Sequence, residues 1–446
     1  MWYQAIERPA PENTYMNEKV DVAALQIGMF VAELDRPWID TPFLLEGVLI
    51  ESDEQIETLR RYCRYVMVDP LRSIGWHYRG NTPEHQEALR RLAILERQEP
   101  GTAAHLAPLP LDLAERADGA FARNRNRYPD RARLEEELPR AKEIHVHAEQ
   151  AVEHLFDALQ RHGTTDLERA HQVMDGMVES IVRNPDALAL LSRVKRASSY
   201  VYGRSVSVAI NMLLFGRHLG FPRDHMHLLG AAGLLLDVGT VKVPPELLNK
   251  RGQLTPEEYD TVKRHVQLGI EMLRKSHGVS EKLLAIVACH HEREDGSGYP
   301  HGLRGAAIGV PGKMVAIVDC YDALTSERPY ARPFSPYEAL QHLYGWRHHL
   351  FHLELVEQFI QCLGIYPVGS LVELNSGEVA VVLAHNRVRR LKPRVLVILD
   401  PDKQPYSAPI PLDMLTAPKL ANDQPYEIAR ALEHGMHGID PREYYL

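Results

Sequence analysis

The stretch His290-His-Glu-Arg-Glu-Asp-Gly-Ser-Gly-Tyr-Pro300 decides how this chain is read. It joins two adjacent imidazoles to an acidic, glycine-rich turn, a combination suited to holding a metal ion beside a phosphate. Neighbouring histidines on a regular helix diverge by about 100°. Both can therefore ligate only if the backbone turns nearby or two ions share the site. Working outward, an apolar run closes with Leu236-Asp237, a single His265 follows, and Asp319 ends a second apolar run, Met314-Val-Ala-Ile-Val318. Each has an ordinary explanation by itself: a hydrogen-bonded or surface histidine, an aspartate that closes a helix, a tight loop. As a set, Asp237, His265, His290, His291 and Asp319 offer the mixed imidazole and carboxylate donors that suit Fe, Mn, Zn or Ni, without selecting among them.

The 446 residues exceed the ~100–200 of one domain, so two or three domains are expected. With 45% hydrophobic and 25% charged residues the composition is that of a soluble globular protein. A formal charge of −9 leaves no basic footprint, which argues against duplex nucleic acid as a partner. Cys63, Cys289, Cys320 and Cys362 are widely spaced, with neither a disulfide framework nor a thiolate zinc pattern. The N-terminus has no basic and apolar leader, and no run of ~18 apolar residues occurs. The expectation is a cytoplasmic protein with no membrane span.

Short apolar runs at Gly28–Ala32 and Phe43–Ile50 read as strands, and Glu54–Tyr62 as an amphipathic helix, giving a small N-terminal α+β module over 1–75. Residues 76–141 are polar and proline-containing and read as a linker with short helices. From Ile144 to Leu159 apolar positions keep the 3.6-residue period, so a helical domain is expected over 142–365. The apolar stripe of its first helix serves either the chain's own core or a homodimer interface. Gly369–Leu374, Val379–Leu383 and Arg394–Leu399 read as strands of a small C-terminal β extension over 366–415, with a tail at 416–446. The fold class expected is mainly α, a helical bundle flanked by these two small modules.

The pattern continues through Tyr200-Val-Tyr-Gly-Arg-Ser-Val206, Leu236-Asp-Val-Gly-Thr-Val-Lys-Val-Pro244, Asp319-Cys-Tyr-Asp-Ala-Leu-Thr-Ser326 and Arg328-Pro-Tyr330. Over residues ~190–365 it resembles the HD-GYP family, a helical branch of the HD phosphohydrolases. The Val20–Asp69 segment resembles the small module often found ahead of such domains, and Gly364–Ser370 resembles their C-terminal extension. The resemblance implies cyclic-di-GMP phosphodiesterase chemistry, in which two or three metals activate a water against a phosphodiester. It also implies that Gly298 lets backbone approach the ligand and that Tyr299 bonds or stacks against it. Arg328 would act on phosphate, and Asp237 and Asp319 would be the catalytic carboxylates.

The chain departs from the pattern where that chemistry needs it. The family's first metal uses an upstream His, the His and Asp of the HD pair, and a later Asp; here these are Arg204, Leu236, Asp237 and Asp319. Leucine has no lone pair and arginine stays protonated, so neither replaces an imidazole. The family's lysine after the HD pair is Thr240, and a basic residue usual after Arg-Pro-Tyr is Ala331, although Lys242 and Arg332 lie close by. The second metal set, Asp237 with His265, His290 and His291, is complete. The reading is one ion rather than two or three, with Arg204 reaching into the vacated position to meet Asp319 or a nucleotide phosphate; the alternative is Arg204 in solvent. The function expected is cyclic-di-GMP signalling by an inactive or weakly active diesterase that binds nucleotide or signalling partners. The alternatives are an active metal-dependent phosphodiesterase, with Asp319 or Glu292 as supporting carboxylate, and a purely structural partner-binding protein.

Overall fold

The computed structural model describes residues 18–27, 29–35, 48–50, 53–68, 128–193, 200–250, 252–326, 333–347, 349–386, 391–416, 419–420, 423–433, 435–440 and 444. Two compact units divide the chain, Met1–Ala103 and Ala104–Leu446.

In the first unit, β1 (Glu18–Asp21), β2 (Phe30–Leu34), β3 (Val48–Leu49), α1 (Asp53–Tyr62) and β4 (Tyr65–Val68) make an antiparallel sheet of order β1-β4-β2-β3 under one helix. Period-two alternation sends Val66 and Val68 inward from β4, and helical spacing sends Ile56, Leu59 and Cys63 against them. β2 overlaps the strand expected at 28–32, and β3 is the described end of the one expected at 43–50, whose residues 43–47 lie outside the described residues. The four-residue β1 and β4 carry too little alternation to be seen beforehand.

The second unit is helical. Its elements are α2 (Leu134–His162), α3 (Glu168–Arg183), α4 (Pro185–Leu191), α5 (Tyr200–His218), α6 (Arg223–Leu235), a 3-10 turn (Val238–Lys242), α7 (Pro245–Leu248), α8 (Pro256–Lys263), α9 (His265–Lys275), α10 (Glu281–Ala288), α11 (Gly309–Thr325), α12 (Pro336–Trp346) and α13 (Leu353–Leu363). The helix expected from 142 begins eight residues earlier, at Leu134. Pro139 does not stop it, although a proline here removes the bond to Glu135 O and crowds that carbonyl. Glu137 meanwhile anchors the first turns through a bidentate pair with Arg183 of α3 at 2.7 and 2.8 Å. The apolar stripe of α2, including Ala148, Val152, Leu155 and Leu159, is buried in the chain's own core and is not offered to a second copy.

Helices α5 and α6 run antiparallel through a four-residue connection and touch at Gly233, where a Cβ would lie 2.6 Å from Ala209 Cα. Arg204 stands five residues before Ala209, and Asp237 four residues after Gly233. At 1.5 Å per residue both reach the same end of the helix pair. Gly239 repeats the device: its Cβ would fall 1.8 Å from His265 O, so the 3-10 turn after Asp237 lies directly on the start of α9.

Beyond the helices, β5 (Leu371–Leu374), β6 (Val379–Ala384), β7 (Arg394–Leu399), β8 (Pro405–Asp413) and β9 (Ile428–Ala431) form an antiparallel sheet of order β8-β7-β6-β5-β9. Three of these strands were expected. Strand β8 carries Pro405, Pro409 and Pro411, which is tolerated because it is an edge strand. Strand β9 falls in the stretch read as a tail, and its pairing with β5 makes that stretch part of the sheet.

Candidate metal centre

Helix α10 stops at Ala288, and Cys289, His290 and His291 form a turn in which Glu292 N donates to Cys289 O at 2.9 Å. That turn brings two consecutive imidazoles to one place, with ring centroids 4.1 Å apart. His265, at the start of α9, completes the set. Asp237, His265, His290 and His291 each present a ligand atom, and these atoms all lie within 4.8 Å of one another.

Protonation follows from the backbone. His265 Nδ1 lies 2.7 Å from Val262 O, and His290 Nδ1 lies 2.6 Å from Val287 O. A carbonyl only accepts, so both Nδ1 atoms carry hydrogen and a neutral ring leaves its lone pair on Nε2. Burial drives the neutral form: it pushes His290 down to about 3 and holds His265 and His291 below the ordinary imidazole value. The two Nε2 atoms then face each other at 3.2 Å, with Asp237 Oδ1 at 3.5 and 3.9 Å. Two lone pairs and a carboxylate oxygen converging without a proton are repulsive unless a cation lies among them. Metal–nitrogen bonds of about 2.1 Å place two nitrogens roughly 3.0–3.4 Å apart, depending on coordination angle. The donor set therefore fits a divalent ion.

The other oxygen of Asp237 faces away from the histidines. Arg204 Nη1 pairs with Asp237 Oδ2, its Nη2 with Asp319 Oδ1, and its Nε stands 3.5 Å from Asp322 Oδ2. The guanidinium thus lies among three carboxylates and is almost wholly buried. Burial by itself raises the Asp319 carboxyl, but the Arg204 charge beside it prevails and holds it below the usual range. One turn further on, burial keeps Asp322 above its ordinary value in spite of the same arginine. Arg204 reaches inward, and solvent is not its environment. Leu236 is packed at 1% exposure and has no donor atom, and Thr240 Oγ1 commits its proton to Asp237 O at 2.6 Å.

The glycine-rich turn closes over His291. Tyr299 N donates to His291 O at 3.1 Å, and the Tyr299 ring lies 4.6 Å from the His291 ring. Only glycine fits at 298, where a Cβ would come 2.5 Å from Glu292 Cα and His291 O. Glu292, fully buried, accepts His301 N at 2.8 Å and Leu303 N at 2.9 Å. Its carboxylate holds the loop through these two bonds.

Of the site residues expected from the sequence, Asp237, His265, His290, His291, Asp319, Arg204, Gly298 and Tyr299 come together. Asp319 stands beside the four ligands rather than among them, with Oδ1 on Arg204 and Oδ2 3.5 Å from His291 Nδ1. Lys242 is exposed at the end of the 3-10 turn and forms no ion pair among the described residues. Arg328 and Arg332 lie outside the described residues. Four contributors went unnoticed. Asp322 is legible afterwards from its i, i+3 spacing to Asp319. Arg293 is buried, with Nη1 on the carbonyls of His290 (3.3 Å) and Glu292 (2.8 Å). Tyr259 meets Tyr299 edge-on at 6.4 Å, and Lys263 Nζ lies 4.5 Å from the Tyr259 ring and 5.8 Å from the Tyr299 ring. No short-range pattern announces these last three.

A helical bundle that gathers one Asp and three His at the ends of α6, α9 and α10 defines a metal-dependent HD-type domain. Residues 190–351 match the HD domain family, and residues 17–170 match a domain of unknown function, DUF3391. The cyclic di-GMP phosphodiesterase PA4108 of Pseudomonas aeruginosa is 34% identical over 384 residues, which cover 86% of this chain and 85% of that protein. The cyclic di-GMP phosphodiesterase response regulator RpfG of Xanthomonas campestris is 36% identical over 38% of this chain and 47% of its own length. A solved structure described as Bd1817, a HDG"Y"P protein from Bdellovibrio bacteriovorus, aligns over 78% of this chain and 99% of its own, at 15% identity and a TM-score of 0.43. The chain belongs to the HD-GYP family of cyclic di-GMP phosphodiesterases. No helix among the described residues is long and apolar enough to cross a membrane.

Proposed function

We propose that this protein is a cyclic-di-GMP-binding member of its family that carries one divalent ion, Fe, Mn, Zn or Ni, on Asp237, His265, His290 and His291, and hydrolyses the nucleotide at most at a trace rate. One observation carries the reading: the Arg204 guanidinium takes Asp237 Oδ2 and Asp319 Oδ1, the two carboxylate oxygens turned away from the histidine cluster. A guanidinium there offsets the carboxylates' repulsion of phosphate but has no coordination position to offer water. A divalent ion on the remaining four ligands supplies a Lewis acid and lowers the pKa of water toward ~7. Without a second ion the developing phosphate charge loses one of its two clamps, and each ~1.4 kcal/mol so lost slows the step tenfold.

The chain's residues keep what ground-state binding needs. Tyr299 presents a ring beside His291, Gly298 brings backbone close, and Arg204 neutralises carboxylates that would otherwise repel a phosphodiester. Interactions that act on substrate and transition state alike give affinity without turnover. None of the four cysteines forms a disulfide, which suits a reducing cytoplasm.

Calorimetry of the purified full chain with cyclic di-GMP, alongside chromatography of the same mixture with added manganese, addresses this directly. Binding with no more than traces of linear dinucleotide or GMP is expected. Sustained product formation that disappears in His290→Ala would instead establish the active phosphodiesterase, and absence of both nucleotide and metal binding would leave a structural protein.

A further inference from the structure

Away from the metal centre, a cavity of about 460 Å³ opens between α4, α5 and the segment that leads into β5. Its size falls within the ~300–1,000 Å³ of small-molecule sites. Most charges on its wall are already matched: Arg217 pairs with Asp130 at 2.6 Å, and Asp186 faces His385 at 3.6 Å. Two groups are not. Arg193 donates to Thr325 Oγ1 at 3.1 Å and to Tyr321 Oη at 2.9 Å, but no ion pair joins it among the described residues. Asn211, 2% exposed, has its amide nitrogen Nδ2 without a hydrogen-bond partner. A guanidinium held by two hydroxyls and the Tyr321 ring face, with no carboxylate in direct contact, and an unsatisfied amide donor on one concave wall complement an anion rich in acceptor oxygens. A buried donor left without a partner is costly, and the fold supplies none for Asn211 Nδ2 among the described residues.

We propose that this cavity is a second small-molecule site, separate from the metal centre, for a metabolite that carries a carboxylate or phosphate group, with Arg193 as its anion-binding residue. Arginine's planar fork engages both groups bidentately. The site also touches the metal centre's scaffold. Tyr321 and Thr325 belong to α11, the helix that carries Asp319 and Asp322, so an anion that draws on the Arg193 guanidinium changes what secures that helix. Binding in the cavity and metal binding are then linked, and the linkage is reciprocal.

Thermal unfolding of the metal-free full chain, with millimolar sodium succinate or sodium phosphate compared to sodium chloride at equal ionic strength, reads the proposal. Either anion is expected to raise Tm by at least about 2 °C over chloride, succinate identifying a carboxylate ligand and phosphate a phosphorylated one. The rise disappears in Arg193→Gln and in the cavity-filling Ala189→Phe, which leaves every ion pair in place, and it persists in His290→Ala. No rise with either anion overturns the proposal. So does a rise retained in both cavity variants, or one lost only in His290→Ala, which would assign the anion to the metal centre.

Discussion

Arg204 is the residue on which the account turns. In its absence Asp237 and Asp319 would present buried carboxylate oxygens to each other, and a second ion would be the ordinary remedy. The guanidinium supplies the charge instead, irreversibly at any working pH. Restoring two imidazoles tests this exchange: Arg204→His with Leu236→His is expected to raise bound manganese from about one to about two per chain and to increase diesterase turnover at least tenfold. His290→Ala is expected to reduce metal content to background by removing the Nε2 that faces His265. The same histidine sets an acid limit. Folded His290 stays neutral down to about 3, whereas its unfolded value is ~6.5, so the unfolded chain binds more protons in between. The contribution of His290 to the stability of the metal-free protein is therefore complete above ~6.5 and is lost as pH drops from there toward 3. A urea midpoint at about pH 5 equal to that at about pH 7.5 would contradict this.

At the scale of elements, glycine contacts and one helix end place the ligands. The adjacent histidines were recognisable as a problem in the sequence, because a continuing helix would splay them; the structure resolves it by ending α10 at Ala288. Gly239 has no duty visible in the sequence, since the His265 carbonyl it abuts is 26 residues away. Gly239→Ala is expected to cost at least about 3 kcal/mol in chemical unfolding, with loss of metal, because the clash is with backbone that cannot swing aside. A variant of wild-type stability and full metal content would show that the turn and α9 are free to separate. Buried Arg293 was invisible for the opposite reason: a cation inside a charged run reads as solvated, and only tertiary folding gives it the His290 and Glu292 carbonyls.

Over the whole molecule the helical class and the two flanking modules were legible, since 3.6-residue and two-residue periodicities are local. Strands such as Glu18–Asp21 and Ile428–Ala431 were not, because at four residues their pairing comes from partners far along the chain. The proline-bearing β8 was hidden by a rule for central strands that does not bind an edge. The site divides the same way. Its intact half was written in His290–Pro300, and its altered half in Arg204 and Leu236, but that Arg204 bridges Asp237 and Asp319 required α5 and α6 to meet at Ala209 and Gly233. The most direct measurement of the central claim is the number of ions held by the full chain after saturation with manganese and removal of excess, by elemental analysis. About one per chain is expected, lost in His290→Ala. About two per chain in the unaltered protein, with Arg204 in place, would contradict it.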